Sequence, residues 1–297
     1  MKNMGFKEDL VIRVSDTETV IYRYLPEEKG LQKTVLEAMN YSVKAGGKRL
    51  RPILMNETYK MFGGNKETIE PFMAAIEMIH TYSLVHDDLP AMDNDEYRRG
   101  KKTTHAVYGE AMGILAGDGL LNFAFETASK AFDFELNEKV AKAFKTLSGK
   151  AGVYGMIGGQ VVDIESENKE VSLETINFIH KLKTAALIEA SMMTGAILAG
   201  ASDEDVKKVE QIANKVGLAF QIQDDILDVT STLEVLGKPI GSDDKNNKMT
   251  YVGIKGIEQS REDVKILTDE AIELFDSLNG NNYFLRELLV SLVSREK

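Results

Sequence analysis

Two groups of closely spaced aspartates are the residues in this chain whose type and spacing predict chemistry. The first group follows an apolar run, and the second lies far downstream in the segment D-D-I-L-D. Carboxylates this close repel one another unless a cation holds them, and Mg²⁺ prefers carboxylate oxygens while leaving room for substrate phosphates. The sequence therefore predicts a metal-dependent site for an anionic ligand. The groups are Asp87, Asp88 and Asp93, and Asp224, Asp225 and Asp228.

On an ideal helix the second aspartate group forms one stripe with Gln221, because the four side chains lie at i, i+3, i+4 and i+7. A run of acids is most often a solvated face. Here the neighbours are apolar, and carboxylates on a largely buried helix are costly unless they are paired or bind a metal. The pattern therefore favours a metal site. The apolar neighbours are Phe220, Ile222, Ile226, Leu227 and Val229.

The first aspartate group lies at the end of a predicted helix, where negative charge opposes the helix dipole. A cation would offset that cost, whereas the alternative is an acidic surface turn. Asp87 and Asp93 are too far apart for adjacent helical turns, so we expect the segment Leu89–Pro90 to bend the chain and bring both to one metal. The pair Arg98–Arg99 follows at once and indicates an anionic ligand.

Basic residues form a third motif, G-G-K-R-L-R-P, at Gly46–Pro52. Its glycines free the backbone, and Lys48, Arg49 and Arg51 are of the types that grip a diphosphate, arginine in bidentate fashion. Basic loops are common and are usually only solvated, so this motif alone is weak. The pair Lys183–Thr184, between apolar residues in the middle of a predicted helix, is a further candidate, although an isolated lysine there more often extends to solvent.

Two histidine patterns suggest other metal chemistry and are poorly supported. Glu77-x-x-His80 has the spacing of a ferritin-like di-iron pair, but no other histidine follows a glutamate at that spacing, and such sites need a second pair. His86-Asp87 resembles the dyad of helical HD-type phosphohydrolases, which use additional spaced histidines. The chain has four histidines in all.

Composition narrows the function classes. The formal charge of −11 over 297 residues disfavours nucleic acid as a partner, because phosphate backbones require a basic face. Cysteine is absent, which excludes disulfides and thiolate zinc sites and fits a cytoplasmic location. We expect no signal peptide in residues 1–10 and no membrane insertion, since the apolar run Ala185–Ala201 is interrupted by Glu189 and is shorter than a membrane span.

The helix-forming composition predicts an all-α fold in one domain over residues 1–297. No proline occurs between Pro90 and Pro239, and long stretches with a period of 3.6 fill that gap. We find no alternating strand pattern and no hairpin dipeptide. The predicted helices cover residues 6–25, 31–45, 52–62, 68–88, 106–132, 138–165, 172–198, 202–228, 260–278 and 283–294.

Taken together and in order, these motifs closely resemble those of the trans-isoprenyl diphosphate synthases, the bacterial farnesyl diphosphate synthases in particular. The resemblance runs from about Val35 to the C-terminus, and the ordered set is highly specific. Tyr97 departs from it, because many relatives have leucine before the arginine pair. The motifs are G-G-K-R-L-R-P, D-D-x-x-x-x-D followed by R-R-G-K-x-T-T-H, G-G-Q at Gly158–Gln160, K-T, F-Q-I-x-D-D-I-L-D, G-K-P-x-G-x-D at Gly237–Asp243, and Asn247-Lys248.

The resemblance implies a helical bundle of the isoprenoid synthase type, a homodimer whose aspartate motifs face each other across a deep central cavity. Three Mg²⁺ ions per active site, with Mn²⁺ as the alternative, would bridge the six aspartates to an allylic diphosphate. Isopentenyl diphosphate would bind at Lys48, Arg51, His80 and Arg99. The other implied site residues are Arg98, Gln160, Lys183, Lys238 and Lys248, and Arg295 is a weaker candidate for closing over isopentenyl diphosphate.

The implied reaction is chain elongation through a carbocation, with dimethylallyl or geranyl diphosphate as the allylic substrate. Thr184 and Gln221 would stabilise the cation, and released diphosphate would take the final proton. Tyr82, five residues before Asp87, lies about 7 Å along the helix and would limit the product to C15. The small neighbour Ser83 leaves a C20 product as the alternative.

Two other function classes compete with chain elongation. A non-catalytic subunit of a heteromeric synthase typically lacks one aspartate motif or its basic partners, and this chain keeps both. A terpene cyclase or a metal phosphohydrolase acts on one diphosphate and would not need the second cationic site of Lys48, Arg51 and His80.

Overall fold

Helices make up almost all of the regular structure in residues 5–230 and 249–294, the part of the chain that this computed structural model describes. This confirms the predicted all-α fold class. The chain divides into two units, the first formed by residues 1–56 and 65–144 and the second by residues 57–64 and 145–297. Each is described below by itself, and the prediction of a single domain stays a prediction.

The first unit is built on α4, a helix whose side chains are buried on nearly every face because α6 packs along it and α1 and α2 cover other sides. Two of its helices, α3 and α8, continue into the second unit. Its elements are α1 (Phe6–Arg23), α2 (Lys33–Lys44), α3 (Leu50–Met61), a 3₁₀ turn (Glu67–Ile69), α4 (Glu70–Asp87), β1 (Tyr97–Arg98), β2 (Lys101–Lys102), α5 (Thr104–Tyr108), α6 (Glu110–Ser129), α7 (Ala131–Phe134) and α8 (Glu138–Ala151).

The second unit is built on α12, which packs against α14, α11 and a π-helical turn. The π turn lies between α10 and α11, so these three elements form one continuous helical run with a local change of register. The elements are α9 (Met156–Glu165), α10 (Leu173–Ile179), the π turn (His180–Ala185), α11 (Ala186–Ala199), α12 (Asp203–Thr230), α13 (Tyr251–Lys255), α14 (Ile257–Asp276) and α15 (Tyr283–Val293).

The structure contains one short hairpin that the sequence did not indicate. Strands β1 and β2 form a two-stranded antiparallel hairpin with Arg98 paired to Lys101. The two turn residues, Arg99 and Gly100, both have positive φ angles, of 55° and 75°. A two-residue hairpin of this kind favours Asn-Gly or Asp-Gly, so the Arg-Gly sequence gave no recognisable signal.

Two predicted long helices are divided in the structure. The helix predicted over residues 106–132 breaks at Gly109, whose φ of 86° is outside the helical range. The helix predicted over residues 138–165 ends at Ala151 and resumes at Met156. Both breaks lie at or beside glycines, which lose more backbone freedom in a helix than any other residue.

The run Leu173–Ala199 is the one helical stretch among the described residues that is long and apolar enough to cross a membrane by length and composition. Of its most apolar window, 72% is buried inside the protein. Burial of this kind is typical of a core helix, because α12 packs against it.

Candidate functional site

In the first unit the chain folds back after α4 and returns Asp93 to the end of that helix. The backbone N–H of Asp93 donates to the carbonyl of Asp87 at 2.9 Å, and the N–H of Asn94 donates to the carbonyl of Leu89 at 3.1 Å. Asn94 adopts the left-handed conformation, with φ of 52°, that this tight reversal needs. The bend predicted from Leu89–Pro90 therefore brings the backbones of Asp87 and Asp93 together.

Asp88, the middle member of the group, is paired with Arg98. The Nε of Arg98 donates to Oδ1 of Asp88 at 2.7 Å, and Nη2 lies at the same distance from that oxygen. Only 4% of Asp88 is exposed. Burial raises the pKa of the Asp88 carboxyl, while the hydrogen bond and charge of Arg98 partly offset that rise. Asp88 thus orients Arg98 in this unit.

The basic loop and the hairpin meet in the same unit. Nη1 of Arg99 donates to the carbonyl of Gly46, and a Cβ at Gly47 would lie 2.5 Å from that same nitrogen. The hydroxyl of Tyr41, on α2, donates to the carbonyl of Lys102 at 2.7 Å. Adjacent arginines therefore reach different partners, because Arg98 turns to the aspartates and Arg99 to the glycine loop.

Arg51 and His80 add cationic and polar groups near Arg99. Lys48 is exposed, whereas Arg51 is half-buried and its Nε has no hydrogen-bond partner among the described residues. Burial lowers the pKa of the Arg51 guanidinium to about 10. The pKa of His80 lies well below 6.5, mainly because of burial and then because of the nearby charges of Arg51, Arg99, Arg98 and Arg49. Such a concentration of positive charge is suited to bind an anion.

Arg49 differs from its neighbours in the same motif. The sequence groups it with Lys48 and Arg51 as a diphosphate ligand, but its side chain is 1% exposed and forms ion pairs with Glu77 and Glu18. It is therefore an internal residue. The pairing also accounts for Glu77, which belongs to the ion pair and not to a di-iron site.

Tyr82 lies on α4 one turn before the aspartates and is 5% exposed. Its hydroxyl has no hydrogen-bond partner among the described residues, and burial followed by the charge of Asp87 raises the pKa of Tyr82 to about 12. Its ring meets His86 edge-on with centroids 5.8 Å apart. Ser83 donates to the carbonyl of His80 within its own helix, at 2.9 Å.

In the second unit the π turn presents the pair Lys183–Thr184. Nζ of Lys183 lies 2.8 Å from Oδ2 of Asp163, and Oγ1 of Thr184 donates to Oε1 of Gln221 at 2.8 Å. Single-turn π segments inside α-helices are frequent at functional sites. Here the turn joins α9 and α12 through its two polar side chains, and it is a feature that a period of 3.6 does not reveal.

Glycines bring these elements close to the π turn. A Cβ at Gly159, on α9, would lie 2.2 Å from the backbone nitrogen of Lys183. A Cβ at Gly217, on α12, would lie 2.4 Å from Cβ of Ala185. Gln160 follows Gly159 on α9 and is half-buried. The close approaches fix Lys183, Thr184 and Gln221 relative to one another.

The second aspartate group lies on α12 with two of its three members buried, Asp225 at 5% exposure and Asp228 at 8%. Oδ2 of Asp225 accepts the backbone N–H of Tyr251 at 2.9 Å. Oδ1 of Asp228 is buried without a hydrogen-bond partner among the described residues. A buried carboxylate oxygen left in this state is costly unless a cation or donor reaches it, which fits the predicted metal site.

Asp163 and His180 were not predicted as site residues. Nε2 of His180 lies 3.8 Å from Oδ2 of Asp225, and its ring stacks on Tyr251 with centroids 6.3 Å apart. Burial lowers the pKa of His180 to about 4, so the ring is neutral near pH 7. A partly buried lysine between apolar residues favours an anionic partner, and that preference could have led from Lys183 to Asp163.

The donor set fits Mg²⁺ although the described residues include no group of three or more His, Asp or Glu side chains close enough to hold a metal. Mg²⁺ is commonly bound by one or two carboxylates together with substrate phosphates, so a complete protein cage is not required. Lys238, Lys248 and Arg295 lie outside the described residues.

Comparison with known proteins gives consistent results at the levels of sequence and structure. A family model for polyprenyl synthetase matches residues 32–278. A farnesyl diphosphate synthase from Geobacillus stearothermophilus is 44% identical over 88% of this chain and 88% of its own length. A geranylgeranyl diphosphate synthase from Cyanophora paradoxa is 46% identical over 91% of this chain and 90% of its own length. The solved structure of a geranyltransferase from Helicobacter pylori complexed with magnesium and isoprenyl diphosphate has a TM-score of 0.83 and 32% identity, covering 99% of this chain and 98% of that one.

Proposed function

The chain belongs to the polyprenyl synthetase family, and on that premise we propose that it condenses isopentenyl diphosphate with dimethylallyl or geranyl diphosphate to give farnesyl diphosphate and diphosphate. It is a prenyltransferase, as its relatives are. The specific proposal rests on the different partners of two adjacent arginines. Arg98 pairs with Asp88, whereas Arg99 contacts the glycine loop.

The different partners of Arg98 and Arg99 support two neighbouring anion sites in the first unit. The site of Asp87, Asp93 and Arg98 suits a diphosphate that arrives with a metal. The site of Lys48, Arg51, His80 and Arg99 has cations and no aspartate, so it suits a diphosphate that binds without one. An enzyme that joins two diphosphate substrates needs both sites, whereas a cyclase or phosphohydrolase needs only the first.

In the proposed reaction the allylic C–O bond breaks and its electron pair leaves with the diphosphate. Mg²⁺, when bound by the aspartates, would neutralise the charge that develops on that leaving group. Arg98 adds positive charge to the same group. In the second unit a hydrogen bond holds the side chains of Thr184 and Gln221 together, and their proposed role is to stabilise the positive charge left on carbon.

The new C–C bond then forms from the π electrons of isopentenyl diphosphate. Its diphosphate is held by the cationic site, so the alkene is oriented before the allylic cation forms. The attack leaves a tertiary cation on C3 of isopentenyl diphosphate, the adjacent carbon C2 then loses a proton, and an oxygen of the released diphosphate accepts it. No protein nucleophile takes part, in keeping with the absence of cysteine.

We further propose that Tyr82 limits the product to C15. Its ring is buried on α4 one turn before Asp87 and would meet a growing chain that extends along this helix. The relatives include both farnesyl and geranylgeranyl diphosphate synthases, so C20 is the competing product length. We also propose a cytoplasmic homodimer, on the resemblance to the family.

Product analysis tests the proposal directly. Purified protein is incubated with Mg²⁺, isopentenyl diphosphate and geranyl diphosphate, and the dephosphorylated products are separated by chromatography. We expect a C15 alcohol, with none formed when Mg²⁺ is removed by a chelator. A C20 alcohol would show that the product is C20 and not C15. The absence of any elongated alcohol would refute chain elongation and favour a non-catalytic subunit.

A further inference from the structure

Arg49 lies between Lys48 and Arg51 in the sequence, yet its side chain is enclosed by the protein. Its Nη1 donates to Oε1 of Glu77 at 2.7 Å, and its Nε donates to Oε1 of Glu18 at 3.0 Å. These partners come from α4 and α1. Arg49 therefore forms a buried ion-pair network in which one cation faces two carboxylates.

The Nη2 group of Arg49 is used as well. Nη2 donates to the carbonyl of Val43 at 2.8 Å and to the hydroxyl of Tyr22 at 3.3 Å. Val43 is in the last turn of α2. One guanidinium thus connects α1, the end of α2 and α4, which is a task suited to the rigid planar fork of arginine and not to lysine.

The backbone of Arg49 links this network to the loop. Its φ of 49° is in the left-handed region, which residues other than glycine seldom adopt. Its carbonyl accepts the N–H of Ile53 at 3.2 Å, so Arg49 immediately precedes α3. Arg51 is in the first turn of that helix, and Lys48 precedes Arg49 directly. Contacts that hold Arg49 in place therefore also hold the backbone positions from which the side chains of Lys48 and Arg51 extend.

We propose that Arg49 is a positioning residue, which holds Lys48 and Arg51 in place for the diphosphate of isopentenyl diphosphate without touching it. The inference rests on the proposed function, because it assigns that diphosphate to Lys48 and Arg51. Strain in the backbone of Arg49 is maintained by the contacts of its side chain, and loss of those contacts lets the loop relax away from the binding geometry.

The choice of variants follows from the charges around the network. Glu77 is unsuitable, because its charge also acts on Arg51 and Arg99 and its loss would change the anion site directly. Arg49→Lys keeps the charge and removes the fork. Glu18→Gln removes the negative charge of one partner, whose side chain is 29% exposed, so this variant is expected to fold even if the first does not.

A matched control is available in the second unit. Lys150 is held there by Glu189 and by Glu210, and the side chain of Glu210 is 39% exposed. Glu210→Gln therefore removes a partly exposed carboxylate from a mostly buried lysine, as Glu18→Gln does from a buried arginine. It is expected to lower the melting temperature and to leave both Michaelis constants within twofold of the wild type.

Steady-state kinetics, with each substrate varied in turn, test the positioning role of Arg49. We expect the KM for isopentenyl diphosphate to rise about tenfold in Arg49→Lys and about threefold in Glu18→Gln, with the KM for geranyl diphosphate within twofold of the wild type. Unchanged KM values in the folded variants, or equal rises for both substrates, would overturn the positioning role. A wild-type protein that forms no elongated product would instead refute the proposed function, and this inference would fall with it.

Discussion

His80 is a half-buried histidine near four arginines, and its environment makes stability depend on pH. Because burial and the charges of Arg51, Arg99, Arg98 and Arg49 hold the pKa of His80 well below 6.5, the folded protein binds fewer protons here than the unfolded chain does below pH 6.5. The free energy of unfolding therefore falls as the pH drops through 6.5 towards the folded-state pKa. It is unaffected by this group above about pH 7.5.

The first prediction concerns the variant His80→Gln. Between pH 7.5 and pH 5.5 we expect the wild type to lose more unfolding free energy than the variant, on the order of 1 kcal/mol, as measured by urea denaturation. His180 also has a lowered pKa, but it is present in both proteins, so the difference between them isolates His80. Equal losses in the two proteins would contradict the placement of His80 among the arginines.

The second prediction concerns the product length. Tyr82→Ala removes a ring that is 5% exposed, and we expect the main product to lengthen from C15 to C20 or beyond, as measured by chromatography of the dephosphorylated alcohols. The cavity left behind should lower stability by about 3 kcal/mol. Tyr59→Ala is the matched control, because Tyr59 is 4% exposed and should lose similar stability with the product unchanged. If the Tyr82→Ala enzyme still stops at C15, Tyr82 does not limit the product length.

At the scale of single residues, the sequence predicted which residue types form the site but not which residues they contact. Asp88 and Arg98 lie ten residues apart, and the local pattern of acids followed by arginines predicted a charged site. Asp163 and Lys183 are 20 residues apart, and they meet only because α9 packs on the π turn. Arg49 looked like its basic neighbours, and only the long-range contacts with Glu18 and Glu77 show that it is internal.

Among the helices, the contact between α12 and the π turn leaves no space for a side chain at Gly217. A Cβ at Gly217 would lie 2.4 Å from Cβ and 2.7 Å from Cα of Ala185, so the backbone of one element would have to move. Such a shift would separate Thr184 from Gln221, because they join the same two elements.

The third prediction follows for Gly217→Ala. We expect it to lower the free energy of unfolding by about 2 kcal/mol and kcat by about tenfold, measured by denaturation and steady-state kinetics. Gly149→Ala is the control, since Gly149 is exposed within α8 and nothing lies within 4 Å of its added Cβ. That change should be neutral or stabilise by up to about 1 kcal/mol. Similar behaviour of the two variants would show that α12 and the π turn tolerate separation.

The elements themselves were predictable where one local rule dominated. Apolar periodicity indicated α4 and α12, and the predicted helix over residues 172–198 ends within one residue of α11, just before Gly200, which adopts φ of 87°. The hairpin after α4 escaped notice because Arg-Gly is an unusual turn sequence. The π turn escaped notice because it is a change of register within a helix whose composition is unchanged.

Across the whole molecule, the two aspartate groups belong to different units of the chain. Their order and spacing in the sequence, together with the motifs around them, were enough to identify the family, which the comparisons confirm. Free energies from a double-mutant cycle can test whether both aspartate groups act on one diphosphate. This test requires no assumption about how the two units are arranged.

The fourth prediction is a double-mutant cycle between Asp87 and Asp224. If both carboxylates act through one metal-bound leaving group, each single change to asparagine should lower kcat at least a thousandfold, about 4 kcal/mol, and the double variant should lose little more than either single one. Circular dichroism should match the wild type throughout, and Asp276→Asn, which breaks an exposed ion pair with Arg286, should leave kcat unchanged. Effects that multiply in the double variant would mean that the groups act independently, because additive free energies indicate sites that share no partner.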